Sequence, residues 1–243
     1  MRSPDPRTSV RVFALTGAGV SAESGLGTFR DKGGLWERFD PMQLATQEAF
    51  ARDPATVHAF YNARRRNLLA SEPNAAHHAL ARLEAGLAAE GGELALVTQN
   101  VDDLHERAGS RFVLHMHGGL LKARCTACET VVPWERDLGR GDACPRCGAR
   151  ERLRPHVVWF GEMPFHMDEI DRLLPRADLF VAIGTSGSVY PAAGLVSDAR
   201  RARVPTCELN LEPSDNAYAF GDRRYGPATS IVPAWVDELL DRS

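Results

Sequence analysis

The sequence predicts an α/β protein: a parallel sheet with helices on both faces, joined to a small zinc-ribbon domain. Three observations carry the prediction. Apolar runs of strand length alternate with longer segments of helical periodicity, the pattern of a sheet covered on both sides. Several of those runs stop at loops of glycine, amide or small hydroxyl residues, where an open parallel sheet places its ligands. Four cysteines, Cys125, Cys128, Cys144 and Cys147, stand in the spacing C-x2-C-x15-C-x2-C, which suits four thiolates around one tetrahedral zinc. With all four positions filled by sulfur, that ion is expected to be structural.

At 243 residues the chain suits one large domain with a smaller insertion. The expected partition gives 10–120 and 153–243 to the sheet domain, with a helical insertion around 41–72, and 121–152 to the zinc module. A net charge of −3 gives no electrostatic pull toward nucleic acid. No apolar run approaches the roughly 18 residues of a membrane span, and the opening MRSPDPRTS has no apolar core of a secretion signal. The cytoplasm is the expected compartment, with no membrane partner. Cysteines there are not mostly disulfides; the fifth, Cys207, reads as a core residue.

In chain order, 12–16 (VFALT) reads as a buried strand that stops at Gly17-Ala18-Gly19. Gly17, Gly19 and Ala22 satisfy G-x-G-x-x-G/A, a turn that lets backbone approach a pyrophosphate ahead of a helix N-terminus. The same string fits a plain tight turn, and the second strand with its ribose-binding acid is missing, since 31–41 reads as loop. Asp53-Pro54 opens a helix closed by Arg64-Arg65-Arg66, within a helical stretch over 41–70. A second helix over 73–85 is capped by Asn74, with His77 and His78 as packing or capping groups.

Strand 94–98 ends in Gln99-Asn100-Val101-Asp102-Asp103, and a short strand at 112–114 precedes His115-Met116-His117-Gly118-Gly119. A histidine at such a strand end suits a general base, although the residue by itself is equally a structural one. After the cysteines, 153–162 is expected to rejoin the main sheet, and 178–183 to be a strand ending in Gly184-Thr185-Ser186. The last strand, 204–209, ends at Asn210-Leu211-Glu212, and a terminal helix covers 235–240.

Taken in order, GAGVSAESGLGTFR, TQNVDDLH, HMHGG, the paired cysteine knuckles, VVWFGE, GTSGSVYP and NLEP resemble the sirtuins, the NAD-dependent protein-lysine deacylases. The resemblance runs over nearly the whole chain and implies a Rossmann-like domain with a small zinc-binding domain and a ligand cleft between them. It implies a cofactor loop of Gly17, Ala18, Gly19, Glu23, Thr28, Phe29, Arg30 and Trp36. Gln99, Asn100 and Asp102 then line a nicotinamide pocket, with Asn100 counted beside the catalytic base His117. Gly184, Thr185, Ser186, Asn210, Leu211, Glu212 and Ala228 are the later NAD contacts. NAD is consumed: acyl oxygen displaces nicotinamide from the ribose, His117 deprotonates a ribose hydroxyl, and free lysine and O-acyl-ADP-ribose result. The partner is an acylated-lysine protein or peptide, clamped as an added strand against 157–162 and 187–190, with Val158, Phe160, Gly161 and Val189 in contact. A monomer is compatible with the sequence.

Within that resemblance, Tyr61 and Arg64 match the Y-x-x-R of the desuccinylase and demalonylase branch, and Gly27 stands where deacetylases commonly carry proline. Three residues apart on a helix, phenol and guanidinium share one face. The expected substrates are succinyl-, malonyl- or glutaryl-lysine as well as acetyl-lysine. The alternatives are an enzyme acting mainly on acetyl-lysine, or a mono-ADP-ribosyltransferase.

Overall fold

Strand β1, Arg11–Thr16, lies at the centre of the main sheet, and its side chains alternate between two cores. Val12 and Ala14 belong to the core under helices α3 (Ala75–Ala89) and α7 (Ala228–Leu240). Phe13 and Leu15 belong to the opposite core, packed by α5 (Met167–Leu173) and α6 (Leu195–Arg201). A strand buried on both faces needs apolar residues without interruption, and VFAL supplies them. The computed structural model describes residues 9–27 and 43–241. Thr28, Phe29, Arg30 and Trp36 of the expected cofactor loop lie outside them.

The main sheet is parallel throughout, with order β3-β2-β1-β7-β8-β9. Its other strands are β2 (Glu93–Thr98), β3 (Val113–His115), β7 (Leu179–Ile183), β8 (Thr206–Asn210) and β9 (Asp222–Tyr225). The chain moves outward one way from β1 through β3, then returns to start the other half at β7. The switch point therefore falls between β1 and β7, the place where such sheets take ligands. β9 has no apolar run to announce it; DRRY is a charged edge strand, as unpaired edges commonly are.

A second sheet, order β5-β4-β6, joins β4 (Gly118–Cys125), β5 (Val131–Pro133) and β6 (Leu153–Val157). The segment from 153 does not rejoin the main sheet as expected: β6 pairs antiparallel with β4. The small sheet thus draws strands from both sides of the expected 121–152 module. Beyond Val157 the expected strand 157–162 is irregular, with one isolated bridge between Thr46 and Phe160.

Helices α1 (Gln47–Arg52) and α2 (Pro54–Ala70) cover this side, and the one-turn α4 (Leu104–Arg107) lies between β2 and β3. Asp53 caps α2 by accepting the Thr56 N–H at 3.1 Å, with Pro54 in the first turn where no N–H is needed. The arginine triplet does not close α2, which continues to Ala70. Helix α7 starts at Ala228, earlier than the expected 235, because Pro233 is accommodated inside it rather than ahead of it. Among the described residues no helix is long and apolar enough to cross a membrane.

Candidate functional site

At the switch point two glycine turns lock together. Gly17 N–H donates to the Ile183 carbonyl and Gly19 N–H to that of Gly184, both at 2.9 Å. A Cβ on Gly17 would stand 2.7 Å from the Gly184 oxygen, and one on Gly19 2.7 Å from the Gly184 Cα. Gly184 itself has φ +63°, and a Cβ there would meet Val20 N at 2.4 Å. These glycines are therefore required by the contact of one loop with the other. The turn is followed by two short 3-10 turns, Ala18–Val20 and Ala22–Ser24, in place of the expected helix.

Beside the cradle opens a cavity of about 460 Å³, within the range of small-ligand sites. Its wall includes Ala18, Gln99, Asn100, Asp102 and His117. The floor is a directed hydrogen-bond chain. Asn74 N–H donates to His77 Nδ1 at 3.2 Å, so the His77 proton sits on Nε2 and is offered to Ser21 Oγ, also at 3.2 Å. Ser21 in turn donates to Asp102 Oδ2 at 3.1 Å and accepts from Asn100 Nδ2 at 3.0 Å. Burial pushes the Asp102 carboxyl up, against its bonds from Leu104 N–H and Ser21. Burial pushes His77 down to about 4, with His78 adding to it. His105, whose ring lies 4.9 Å from that of His77 and whose Nε2 meets Thr16 Oγ1 at 3.0 Å, is driven well below the usual histidine range by burial.

His117 follows β3 at the cavity wall. Its Nδ1 lies 2.9 Å from the Gln99 carbonyl, an acceptor only, so Nδ1 carries hydrogen and Nε2 is the basic atom. Burial lowers its pKa, and the Gln99 bond partly opposes that. Neighbouring His115 is a different kind of group: burial disfavours its charge, but Glu106 at 2.6 Å outweighs burial and raises it.

The far wall carries Tyr61 and Arg64 from α2, together with Val158, Phe160, Gly161 and Val189. Arg64 is half-buried, its guanidinium carbon 5.6 Å from the Phe60 ring centre and 6.0 Å from that of Tyr61. Burial lowers the Arg64 pKa, with Tyr61 and Asp102 acting the other way. Tyr61 is buried and raised for the same reason.

The remaining expected contacts do not line this cavity. Thr185, Asn210 and Ala228 sit at the C-terminal ends of β7 and β8 and the start of α7, and the Asn210 amide donates to the Thr185 carbonyl at 2.7 Å. Ser186 belongs to the same loop. Leu211 and Glu212 are exposed. The Glu23 carboxylate is engaged by Thr229, from N–H at 2.9 Å and Oγ1 at 2.7 Å, which caps α7. Sequence reasoning missed Ser21, His105, Trp159 and Glu208; the last is buried and accepts from Ser214 N–H and Tyr225 OH. The capping-box position of His77, three residues after Asn74, was the one local signal for the floor of the cavity.

In the small module the four cysteine Sγ atoms lie within 4.8 Å of one another. The pairs Cys125–Cys147 and Cys128–Cys144 are each 3.8 Å apart. A Zn–S bond of about 2.3 Å in a tetrahedron gives an S···S edge of about 3.8 Å, so the donor set fits zinc, whereas a disulfide needs about 2 Å. Cys207 is buried apart from the set, its thiol pushed up to about 12, first by burial.

A parallel sheet with a glycine cradle at its switch point, a histidine-lined cavity beside it and a four-thiolate module on its flank defines an α/β enzyme of the dinucleotide-using kind. The Sir2 family model matches residues 17–191. The chain is 61% identical to an NAD-dependent protein deacylase of Caulobacter vibrioides, over 97% of this chain and 99% of that one. It is 58% identical to an NAD-dependent protein deacylase of Leishmania major, over 96% of each. A solved Sir2 homolog–NAD complex superposes with a TM-score of 0.87 at 40% identity, over 97% of this chain and 91% of that one. A Sir2 mutant holding a deacetylated p53 peptide and 3′-O-acetyl ADP-ribose superposes with a TM-score of 0.77 at 28% identity, over 97% and 94%. The chain belongs to the Sir2 family.

Proposed function

We propose that this chain is an NAD-dependent protein-lysine deacylase whose cavity takes the nicotinamide ribose on one side and an acyl-lysine on the other. The observation that carries the reading is the cavity itself, in which His117 and the Asn100–Ser21–Asp102 floor share one space with Tyr61 and Arg64. The acyl carbonyl oxygen attacks the ribose carbon as nicotinamide departs, a step favoured by holding both substrates in one cleft. His117 Nε2 then accepts the proton of a ribose hydroxyl, whose oxygen adds to the acyl carbon; water completes the transfer, giving free lysine and O-acyl-ADP-ribose. Val158, Phe160, Gly161 and Val189 border the substrate peptide. Gly184, Thr185, Ser186, Asn210, Glu212 and Ala228 follow the cofactor along the strand ends. The four cysteines hold one structural zinc, and cysteines used as zinc ligands rather than in disulfides suit the cytoplasm.

The acyl group read by Tyr61 and Arg64 carries a carboxylate, because a guanidinium beside a phenol on the cavity wall offers an acyl chain a charge partner. Incubation with NAD and a panel of acetyl-, succinyl-, malonyl- and glutaryl-lysine peptides, followed by mass spectrometry, tests both levels. Nicotinamide and O-acyl-ADP-ribose are expected, with the acidic acyl groups removed faster. ADP-ribosylated protein as the main product would overturn deacylation; an acetyl preference would overturn the acyl assignment alone.

A further inference from the structure

We infer that Trp159 is a specificity-setting positioning residue, which fixes the Tyr61 phenol as a hydrogen-bond donor toward the acyl group. The inference rests on the acyl reading above. Trp159 Nε1 lies 2.9 Å from Tyr61 Oη in a buried contact. An indole nitrogen only donates, so the phenol oxygen accepts here and must place its own hydrogen elsewhere. Tyr61 is a wall residue of the cavity, beside Arg64. The direction of the Trp159 bond thus turns an ambivalent hydroxyl into a donor, matched to the same carboxylate that a guanidinium would pair with.

Trp159 is itself held by a stacked ion pair. The Arg154 guanidinium stacks on the indole, 3.4 Å from the ring centre. Arg154 is paired with Glu162 at 2.6 and 3.0 Å and also donates to the Val157 carbonyl at 2.8 Å. Glu162 accepts the Trp159 backbone N–H at 2.8 Å and Gln47 Nε2 at 2.8 Å. This matters because Trp159 and Glu162 also line a second, shallow cleft with Phe50 and Arg124, so the indole separates two open spaces. The indole is buried, its ring centre 5.2 Å from that of Phe50 and 6.4 Å from that of Tyr61, and the stacked ion pair adds to that packing.

The test is the ratio of kcat/KM on a succinyl peptide to that on the matching acetyl peptide, measured in one preparation of each enzyme. Trp159→Phe keeps a ring and removes the N–H; the ratio is expected to fall about five- to tenfold. In a Tyr61→Phe background the same change is expected to leave the ratio where Tyr61→Phe alone put it. Arg154→Gln keeps the indole N–H but removes the guanidinium stacked on the ring, and a smaller fall in the same direction is expected. A Trp159→Phe ratio equal to wild type, or two effects that multiply, would overturn the inference while leaving the acyl reading intact. If Tyr61→Phe and Arg64→Met both leave the ratio unchanged, the acyl reading fails and this inference falls with it.

Discussion

Asn62 and Leu138 exchange two hydrogen bonds: the Asn62 amide donates to the Leu138 carbonyl at 2.9 Å, and the Leu138 N–H donates to Asn62 Oδ1 at 2.8 Å. Leu138 belongs to the core of the cysteine module, with Cys125, Cys144 and Trp134. The next turn of α2 is tied as well, since fully buried Arg65 donates to Asn62 Oδ1 at 2.7 Å and to the Leu120 carbonyl at 3.1 Å. The helix that carries Tyr61 and Arg64 is thus fastened to the metal module by a buried side chain, beside the exposed Arg66–Asp137 pair. Asn62→Ala strands two backbone groups and one guanidinium in a buried place, and should lower stability by about 2–3 kcal/mol in urea unfolding. A loss below about 0.5 kcal/mol would show that the bridge is not a structural tie.

Removing the metal acts on the same tie from the other end. A chelator strong enough to strip zinc should lower the thermal midpoint, because four crowded thiols then lose the cation that balances them. Replacement by cobalt should restore the midpoint and leave the succinyl-to-acetyl ratio unchanged, since a site closed by four sulfurs has no position for substrate. A ratio that follows the identity of the metal would contradict a structural role.

How much of this was legible depended on sequence distance. Apolar runs marked the buried parallel strands, and the polar residues just after them, Gln99–Asp102 and His117, fell at the cavity as strand-end logic requires. The floor of the cavity was not legible, because Ser21 meets His77 and Asp102 across 56 and 81 residues and no local pattern records that pairing. The arginine triplet misled for a geometric reason. Consecutive helical residues point about 100° apart, so Arg64 faces the cavity, Arg65 the interior and Arg66 an exposed ion pair with Asp137 at 2.6 Å. For β6 the signal was present and unread: Pro155 has no N–H for a central strand, and LRPHV lies at the edge of the small sheet. Gly17 and Gly19 carry a second constraint that no local pattern records, the close approach of the Gly184 backbone.

For His117 the sign of the pH effect follows from burial. Desolvation penalises the imidazolium, so the neutral base persists to lower pH than in an ordinary histidine. The acid limb of kcat/KM should therefore lie below pH 6.5. His117→Gln should reduce turnover by about 10²–10⁴-fold while NAD binding survives. An acid limb above pH 7 would assign the titration to another group.

Arg64→Met keeps the length of the side chain and removes its charge. If the guanidinium meets an acyl carboxylate in a desolvated place, the bond is worth about 1.5–3 kcal/mol, and kcat/KM on the succinyl peptide should fall about ten- to hundredfold. The acetyl peptide presents no carboxylate and should lose far less. Equal losses on both peptides would make Arg64 a general support of α2 rather than a reader of the acyl group.

Burial of histidines makes the fold sensitive to acid. His77 and His156 are each held near 4 and His105 well below the usual histidine range, in every case first by burial, whereas in the unfolded chain all three titrate near 6.5. Between about pH 6.5 and 4 the unfolded state therefore binds more protons than the folded one, and stability must fall as the pH falls. Each group contributes up to about 1.4 kcal/mol per pH unit across that window and nothing above it. His115 runs the other way, because Glu106 raises it in the folded state and so adds stability below its unfolded value. Burial lowers His58 and His117 as well, so five lowered histidines against one raised leave a net loss on acidification. Urea midpoints should drop from pH 6.5 downward, and Glu106→Gln should steepen the drop by removing the opposing pair.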